Sequence, residues 1–143
     1  MQIREYGSFN KEEIFRLYAG VGWINYTNNP NMLEQAYQNS LLILGAFEDN
    51  ELIGIIRVVG DGASVVFIQD ILVLPEYQRQ GIGTKLLRKV MEQYASVYQM
   101  QLMTDNTHKT IAFYESLGFS KADDLGCCAF MKMMPGTKSL RKN

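Results

Sequence analysis

The sequence predicts an α/β protein, α+β in some schemes, in which helices flank a mixed, mostly antiparallel sheet of about seven strands. Two observations lead to this prediction. Strand-like and helix-like segments alternate along the 143 residues in the order β-α-α-β-β-β-α-β-α-β-β. In addition, the longest strand-like run, residues 65–74, leads through a glycine-containing turn into a strongly amphipathic helix.

The first third of the chain is predicted to form a short strand and two helices. Residues 3–6 have a strand pattern, and Asn10 with Glu13 three residues later is typical of the capping box that opens a helix. The second helix is predicted to begin near Pro30, because proline suits the first turn of a helix.

The middle of the chain is predicted to form the centre of the sheet. Residues 42–48 and 52–59 indicate two antiparallel strands joined by a polar turn. Residues 65–74 are rich in Val, Ile and Leu, which is typical of a central strand. Gln69 and Asp70 interrupt this run, and polar groups in a buried strand need a partner or a role.

The rest of the chain continues the alternation of helix and strand. Apolar residues repeat with helical spacing from Ile82 onward. A strand, a helix and a last pair of strands are predicted to follow, at residues 100–103, 107–117, 119–122 and 127–133. We expect one domain over residues 1–134 and a basic, polar tail over 135–143 that frays.

Composition and charge exclude several functional classes. With 14 Lys and Arg against 15 Asp and Glu, the chain has no field that would attract a nucleic acid or an anionic membrane. One histidine, His108, and two adjacent cysteines, Cys127 and Cys128, do not make a tetrahedral metal site. No signal pattern or long apolar run is present, so we expect a cytoplasmic protein without metal.

The turn before the predicted helix at Ile82 has the features of an anion site. Residues 78–84 read Gln-Arg-Gln-Gly-Ile-Gly-Thr. The first amides of a helix have no intrahelical acceptor, the helix dipole is positive there, and glycine lets a phosphate approach the backbone. The spacing fits neither a Walker loop nor a dinucleotide fingerprint. A turn that serves only close packing is the alternative.

This turn resembles the Gln/Arg-x-x-Gly-x-Gly/Ala signature of the GNAT superfamily of acyl-CoA-dependent N-acyltransferases, and a second segment, residues 111–119, is similar to that family's helix-plus-strand segment. The resemblance extends over residues 42–133. It implies a small, single-domain N-acetyltransferase with a GNAT-like fold. Such an enzyme transfers the acetyl group of acetyl-CoA, a cosubstrate, to a primary amine by direct attack through a tetrahedral intermediate. The alternative is a non-catalytic acyl-CoA-binding or regulatory module with the same fold.

The resemblance also implies roles for individual residues. Tyr114 matches the tyrosine that protonates the departing CoA thiolate. Asp70 is the candidate base for the amine; the alternatives are that Asp70 pairs with Arg57 or caps a turn, and that ordered water removes the proton. One amide, of Leu72 or Val73, is expected to stabilise the oxyanion. The residues expected to bind acyl-CoA are Ile71, Leu72, Val73, Gln78, Arg79, Gln80, Gly81, Ile82, Gly83, Thr84, Asn106 and Thr107.

Two details stay open within this resemblance. Thr107 stands where the family often has an asparagine that contacts CoA, and Asn106 precedes it. Either residue hydrogen-bonds the pantetheine or caps the helix that follows. Separately, a covalent acyl-enzyme through Cys127 or Cys128 is the mechanistic alternative to direct transfer.

The expected acceptor is a small-molecule amine, or a lysine or N-terminal amine of a protein. Trp23, Tyr26 and Tyr37 are candidates for contacting it, with simple packing of helices on the sheet as the alternative for Trp23 and Tyr37. Residues 23–40 are similar to a subgroup of small GNAT enzymes that includes chloroplast-type arylalkylamine and lysine acetyltransferases. A homodimer through the last pair of strands is the further partner that the resemblance allows.

Overall fold

A computed structural model describes residues 1–135. The chain divides into two compact units, Met1–Leu102 and the part that begins at Met103, and each is described here by itself. Within residues 1–135 no helix combines the length and apolar character needed to cross a membrane.

The first unit is a mixed sheet with helices. Its strands are β1 Gln2–Glu5, β2 Leu42–Glu48, β3 Glu51–Gly60, β4 Val65–Val73 and β5 Gln99–Leu102. Its helices are α1 Lys11–Gly20, α2 Ile24–Thr27, α3 Pro30–Gln38 and α4 Ile82–Gln93, and a 3₁₀ turn spans Pro75–Tyr77. The strands lie in the order β1-β2-β3-β4-β5, antiparallel except for the parallel pair β4–β5. The predicted fold class is confirmed.

The start of α1 forms as the sequence predicts. The side chain of Asn10 accepts a hydrogen bond from the Glu13 amide at 3.1 Å, which is one half of the capping box. In a complete capping box the Glu13 carboxylate would accept a hydrogen bond from the Asn10 amide. Here it accepts one from the Tyr6 hydroxyl at 2.8 Å instead. The helix buries Leu17 and Tyr18 completely.

The central hairpin is confirmed, and it forms because of its turn. Asp49 and Asn50 both have positive φ values, 50° and 65°. Two such residues in succession match the right-handed twist of the strands they join, here β2 and β3. Every residue from Leu52 to Val58 on β3 is buried, so this strand lies at the centre of the core.

The strand that precedes the glycine turn alternates strictly in burial. Val66, Ile68, Asp70 and Leu72 are buried, and the residues between them on β4 are half-buried. The helix α4 that follows begins at Ile82, where the spacing of apolar residues predicts it. Its buried positions fall at helical spacing, so it packs by one face.

The second unit contains α5, His108–Ser116. The prediction of a last strand pair at 119–122 and 127–133 is wrong, because none of the residues from 119 to 135 is in a strand. Residues Ala122–Leu125 instead form a 3₁₀ turn, closed by Gly126 with a φ of 80° and by a hydrogen bond from the Cys127 amide to Ala122 O at 2.9 Å.

The physical reason for this error is the non-local nature of strand pairing. A turn satisfies its hydrogen bonds locally, whereas a strand needs a neighbour. Among the described residues β5 pairs with β4 and with no further strand, so the sheet has five strands rather than about seven. The predicted tail, apart from Pro135, lies outside the described residues.

The entry to β4 depends on a glycine. A Cβ at Gly60 would collide with the carbonyl oxygen of Val65, and the φ of 130° there is one that L side chains rarely adopt. We expect Gly60→Ala to lower the free energy of unfolding in urea by about 2 kcal/mol or more. Gly7→Ala is the control: its Cβ would meet nothing within 4 Å, so a change of less than about 0.5 kcal/mol is expected. Equal effects at the two glycines would contradict the collision.

Candidate active site

A β-bulge marks the middle of β4. Arg57 on β3 pairs with Asp70, but its neighbour Val58 pairs with Ile68. Gln69 is therefore an extra residue on β4, and the strand bends and twists more strongly at that point. Bulges are frequent beside active sites, where they redirect side chains or end a strand's pairing.

Next to the bulge lies a buried ion pair. Asp70 is 1% exposed and Arg57 is 4% exposed. Two guanidinium nitrogens of Arg57, Nε and Nη2, each lie 2.8 Å from Asp70 Oδ2. A third, Nη1, donates to the Ser40 hydroxyl at 3.3 Å. Asp70 thus forms the pair with Arg57 that was the alternative to a catalytic base, and this cross-strand pair neutralises both charges.

Two tyrosines from the helices complete the cluster. The hydroxyl of Tyr18 on α1 donates to Asp70 Oδ2 at 2.9 Å, and the hydroxyl of Tyr26 on α2 donates to Oδ1 at 3.0 Å. The Tyr18 hydroxyl also lies 2.9 Å from that of Tyr37 on α3. The carboxylate thus links all three N-terminal helices to the centre of the sheet.

The tyrosines of this cluster keep their protons at neutral pH. Burial, and then the negative charge of Asp70, raises the pKa of Tyr26 to about 12. The same two causes raise the pKa of Tyr18 well above its usual value, and burial raises that of Tyr37. Protonated hydroxyls act as hydrogen-bond donors, which is what the Asp70 carboxylate requires.

The far edge of β4 is open beyond the bulge. β5 pairs with β4 from Val65 to Ile68, and the pairing stops there. The remaining residues of β4, Gln69–Val73, have β3 as their strand neighbour but no described strand on the other side. The parallel partner of β4 therefore ends just where the bulge occurs.

The direction of the amides on this open stretch follows from one hydrogen bond. The Leu74 amide donates to Ile53 O on β3 at 2.8 Å. Because amides alternate between the two edges of a strand, the amide of Leu72 also faces β3, and those of Ile71 and Val73 face the open edge. Of the two amides expected to contact the oxyanion, that of Val73 therefore has the suitable direction.

The turn after β4 leaves a second group of amides in position for an anion. The first helical hydrogen bond of α4 runs from the Lys85 amide to Gly81 O at 3.0 Å. The amides of Ile82, Gly83 and Thr84 precede it, so they have no acceptor within the helix. The positive end of the helix dipole lies at the same point.

The two glycines of the turn have different explanations. Gly81 has a φ of 81°, which glycine adopts without strain. Gly83 lies in the first turn of α4, where any residue fits, and a Cβ there would meet only Ile71 Cδ1, at 4.0 Å. Close packing therefore gives no reason for glycine at position 83, although it was the alternative reading of this turn. The space beside Gly83 borders the open stretch of β4.

Two polar side chains of the turn, both glutamines, have structural partners. Gln78 Nε2 donates to Val73 O at 2.8 Å and so holds the end of β4 against the turn. Gln80 Nε2 lies 3.5 Å from Glu76 O. Arg79 has a φ of 64°, an uncommon value for a residue with a side chain, and is exposed. The donors that this turn presents are thus its backbone amides and the guanidinium of Arg79.

In the second unit, Thr107 caps α5. Its hydroxyl oxygen accepts a hydrogen bond from the Thr110 amide at 3.3 Å, and the hydroxyl donates to Asp105 at 2.8 Å. That bond lowers the pKa of Asp105. The capping role that the sequence analysis left open for Thr107 is therefore present. Asn106 and His108 are exposed on either side of it.

Tyr114, the candidate acid, lies on α5 between two other aromatic rings. Its ring centroid is 5.0 Å from that of Phe113 and 5.9 Å from that of Phe119, both in edge-to-face geometry. Burial, and then the charge of Asp105, raises the pKa of Tyr114 above its usual value. The hydroxyl is therefore protonated at neutral pH, which is the state that a proton donor needs.

The candidate acceptor-binding residues do not share one environment. Trp23 and Tyr26 are half-buried, with ring centroids 6.1 Å apart, whereas Tyr37 is 6% exposed and belongs to the core. Tyr18, which contacts both Trp23 and Tyr26, is not among the site residues that the sequence predicts. Its position in the apolar stripe of α1 gave no sign that its hydroxyl reaches Asp70.

Comparisons with known proteins agree with this geometry. The sequence pattern of the family described as "Acetyltransferase (GNAT) family" matches residues 11–119. A GNAT family acetyltransferase from Streptococcus pneumoniae TIGR4 is 39% identical, with a TM-score of 0.84 over 94% of this chain and 98% of that one. An uncharacterized N-acetyltransferase, ycf52, from Gracilaria tenuistipitata var. liui is 28% identical over 82% of this chain and 68% of its own length.

A more distant neighbour shares the fold with coenzyme A bound. It is the PaiA N-acetyltransferase from Thermoplasma acidophilum, crystallised in complex with coenzyme A, at 23% identity and a TM-score of 0.66 over 86% of this chain and 92% of that one. At this identity the similarity concerns the fold alone.

The ion pair makes a testable contribution to stability. Arg57→Met leaves the Asp70 carboxylate buried without its cation, and we expect the free energy of unfolding in urea to fall by about 3 kcal/mol or more. The control is Arg16→Met, which removes an exposed ion pair with Glu51 and is expected to lose less than about 1 kcal/mol. Similar losses in the two variants would show that burial of the Asp70 charge does not increase the free-energy cost of removing its partner.

Proposed function

Since the chain belongs to the GNAT family of acetyltransferases and is an N-acetyltransferase, we propose that it transfers the acetyl group of acetyl-CoA directly to a primary amine. The proposal rests on two groups of amides without described acceptors. One group lies at the open edge of β4, at Ile71 and Val73, and the other lies in the first turn of α4.

The residues present suit acetyl-CoA in two separate ways. The pantetheine arm contains amide groups, which pair with the open edge of β4 as an added strand would. The diphosphate suits the amides of residues 79–84, where the helix dipole is positive. Glycine at position 83, which packing does not explain, leaves the room that a phosphate needs.

When bound, acetyl-CoA supplies an acetyl group already activated as a thioester. In the proposed reaction a bond forms between the amine nitrogen and the acetyl carbon, and the bond from that carbon to sulfur breaks. The amine loses a proton and the sulfur gains one, so the products are an N-acetylated amine and CoA thiol. The amide of Val73, directed to the open edge, is proposed to stabilise the oxyanion.

Tyr114 is proposed to give the sulfur its proton, because its raised pKa keeps the hydroxyl protonated at neutral pH. For the proton of the amine, the geometry favours ordered water over Asp70. That carboxylate is buried, and it already accepts hydrogen bonds from Arg57, Tyr18 and Tyr26, all of which favour its ionised form. Asp70 is thus proposed to orient the Tyr26 hydroxyl, from which it accepts a hydrogen bond, and not to be the base itself.

The proposed function has a direct experimental test. Acetyl-CoA is expected to raise the melting temperature, and release of CoA thiol is expected with at least one class of primary amine. A panel of monoamines, polyamines, aminoglycosides, amino acids and lysine peptides covers the acceptors of interest. Stabilisation without thiol release from any of them would leave only acyl-CoA binding. No stabilisation would contradict the proposed site as a whole.

A substitution at Gly83 separates stability from ligand binding. In Gly83→Leu the new side chain fills the space proposed for a phosphate, so we expect at least about tenfold weaker acetyl-CoA binding by calorimetry. The stability of the ligand-free protein is expected to rise by about 0.5 to 1 kcal/mol, because leucine favours a helix more than glycine does.

The control for Gly83→Leu is Lys89→Leu, on the exposed part of the same helix. It is expected to leave the affinity for acetyl-CoA unchanged. If Gly83→Leu bound acetyl-CoA as tightly as the unaltered protein, the diphosphate would not lie at this turn.

Removal of one hydroxyl tests the proposed acid. We expect Tyr114→Phe to lower kcat about 100-fold while the Kd for acetyl-CoA changes less than twofold, because the hydroxyl is needed only when the thiolate departs. Tyr98→Phe, at an 81% exposed tyrosine, is the control and is expected to retain full activity. Unchanged turnover in Tyr114→Phe would remove this residue from the mechanism.

The pH profile gives a second test of the same group. A tyrosine acts as an acid only below its pKa, and the pKa of Tyr114 is raised above its usual value. We therefore expect kcat of the unaltered protein to show no decline with rising pH below about pH 10. A decline centred between pH 7 and 9 would point to a different proton donor.

A further inference from the structure

The two cysteines of the chain are neighbours in sequence, and both are accessible. Cys127 and Cys128 are free thiols, and each residue is exposed. Cysteine is among the residue types most often buried, so two exposed neighbours are unusual. Neither belongs to a helix or a strand, because residues 127–134 have no regular secondary structure. The pair is therefore open to a small reagent in solution.

The backbone is held on the N-terminal side of this thiol pair and is free between its two members. The Cys127 amide donates to Ala122 O at 2.9 Å, and Gly126, with a φ of 80°, ends the turn before it. The Cys127 sulfur lies 3.9 Å from Leu125 O. Within residues 1–135 no other group forms a hydrogen bond with the peptide group that joins Cys127 to Cys128. Rotation of that peptide group therefore breaks no hydrogen bond.

The spacing of the pair permits a disulfide that is more easily reduced than an ordinary one. Neighbouring Cα atoms across a trans peptide bond are about 3.8 Å apart. Most disulfides join Cα atoms that are roughly 4.4–6.8 Å apart, and bonds that depart from the usual geometry are more reducible. Adjacency also gives each thiol a high effective concentration towards the other. A disulfide between these neighbours is thus expected to form readily and to be reversible.

We propose that Cys127 and Cys128 form a modification site for hydroperoxides, at which the two thiols are converted reversibly into a disulfide. The sulfur of one thiol attacks an oxygen of hydrogen peroxide. The S–O bond forms, the O–O bond breaks, and the departing hydroxide takes the thiol proton and leaves as water, which gives a sulfenic acid. The sulfur of the neighbouring thiol then attacks the sulfenic sulfur. The S–S bond forms, the S–O bond breaks, and a second water leaves with the remaining thiol proton.

The electrons of this reaction balance without a further reagent. The two thiols lose two electrons and two protons, and the peroxide that gains them becomes two waters. A thiol without a neighbour follows a different course, because its sulfenic acid persists, is oxidised further or reacts with a thiol of another molecule. The site is independent of the proposed acetyl transfer, since neither step involves acetyl-CoA.

The test treats the reduced full chain with one equivalent of hydrogen peroxide and then labels the remaining thiols with iodoacetamide. We expect the peptide that contains both cysteines to lose about 2 Da and to carry no label, and dithiothreitol to restore both thiols. Oxidation of the exposed Met131, Met133 or Met134 is distinguished by a gain of about 16 Da for each oxygen. Two labelled thiols after treatment, or a disulfide-linked dimer as the main product, would overturn the proposal.

Single variants test whether the neighbour is the thiol that reacts with the sulfenic acid. In Cys127→Ser and in Cys128→Ser no adjacent thiol is present. Dimedone, which captures sulfenic acids, is therefore expected to label each variant at least about tenfold more than the unaltered protein during peroxide treatment. The control is Met133→Leu, which removes an exposed sulfur of the same segment but neither thiol, and it is expected to match the unaltered protein. Equal dimedone labelling of the unaltered protein and the two serine variants would contradict a reaction between neighbours.

Discussion

The buried contact between Arg57 and Asp70 is the interaction on which the rest of the first unit depends. A charge in the interior is tolerated only when its partners are in place, so this pair permits little change in the register of β3 and β4. The hydroxyls of Tyr18 and Tyr26 extend the same requirement to the helices. One carboxylate thereby couples the sheet, the bulge and the N-terminal helices.

The two edges of β4 consequently have opposite properties. One edge is paired with β3 and carries the ion pair, while the other has no described strand neighbour past Ile68. A site of this kind has its donors oriented before any ligand arrives, and little reorganisation is needed on binding. Pairing of one edge of β4 with β3 thus keeps the amides of the other edge oriented for a ligand.

Features encoded by neighbouring residues were predictable from the sequence. The cap at Asn10, the hairpin turn at Asp49 and Asn50, and the start of α4 at Ile82 all depend on local conformational preferences, and the structure has each of them. The resemblance of residues 78–83 to a known signature identified the family for the same reason, because the signature is a local backbone shape.

Features that depend on pairing between distant segments were not predictable in this way. The hydroxyl of Tyr18 reaches Asp70 because α1 packs over the bulge, and the apolar pattern of α1 gives no sign of it. The bulge at Gln69 emerges only from the register with β3. The last strand pair was predicted from two local strand-like segments, yet a strand exists only beside another strand, and residues 119–135 have none.

The single extra residue at Gln69 also changes which amides of β4 face β3. Before the bulge the amide of Phe67 faces β3, since it lies opposite Val59; after the bulge it is the even-numbered residues, such as Leu72, that face β3. Without the bulge, odd-numbered amides would still face β3 after residue 69, and those of Ile71 and Val73 would donate to β3. One extra residue, which changes no functional group, thereby decides whether the odd- or the even-numbered amides of β4 face the edge that is open to a ligand.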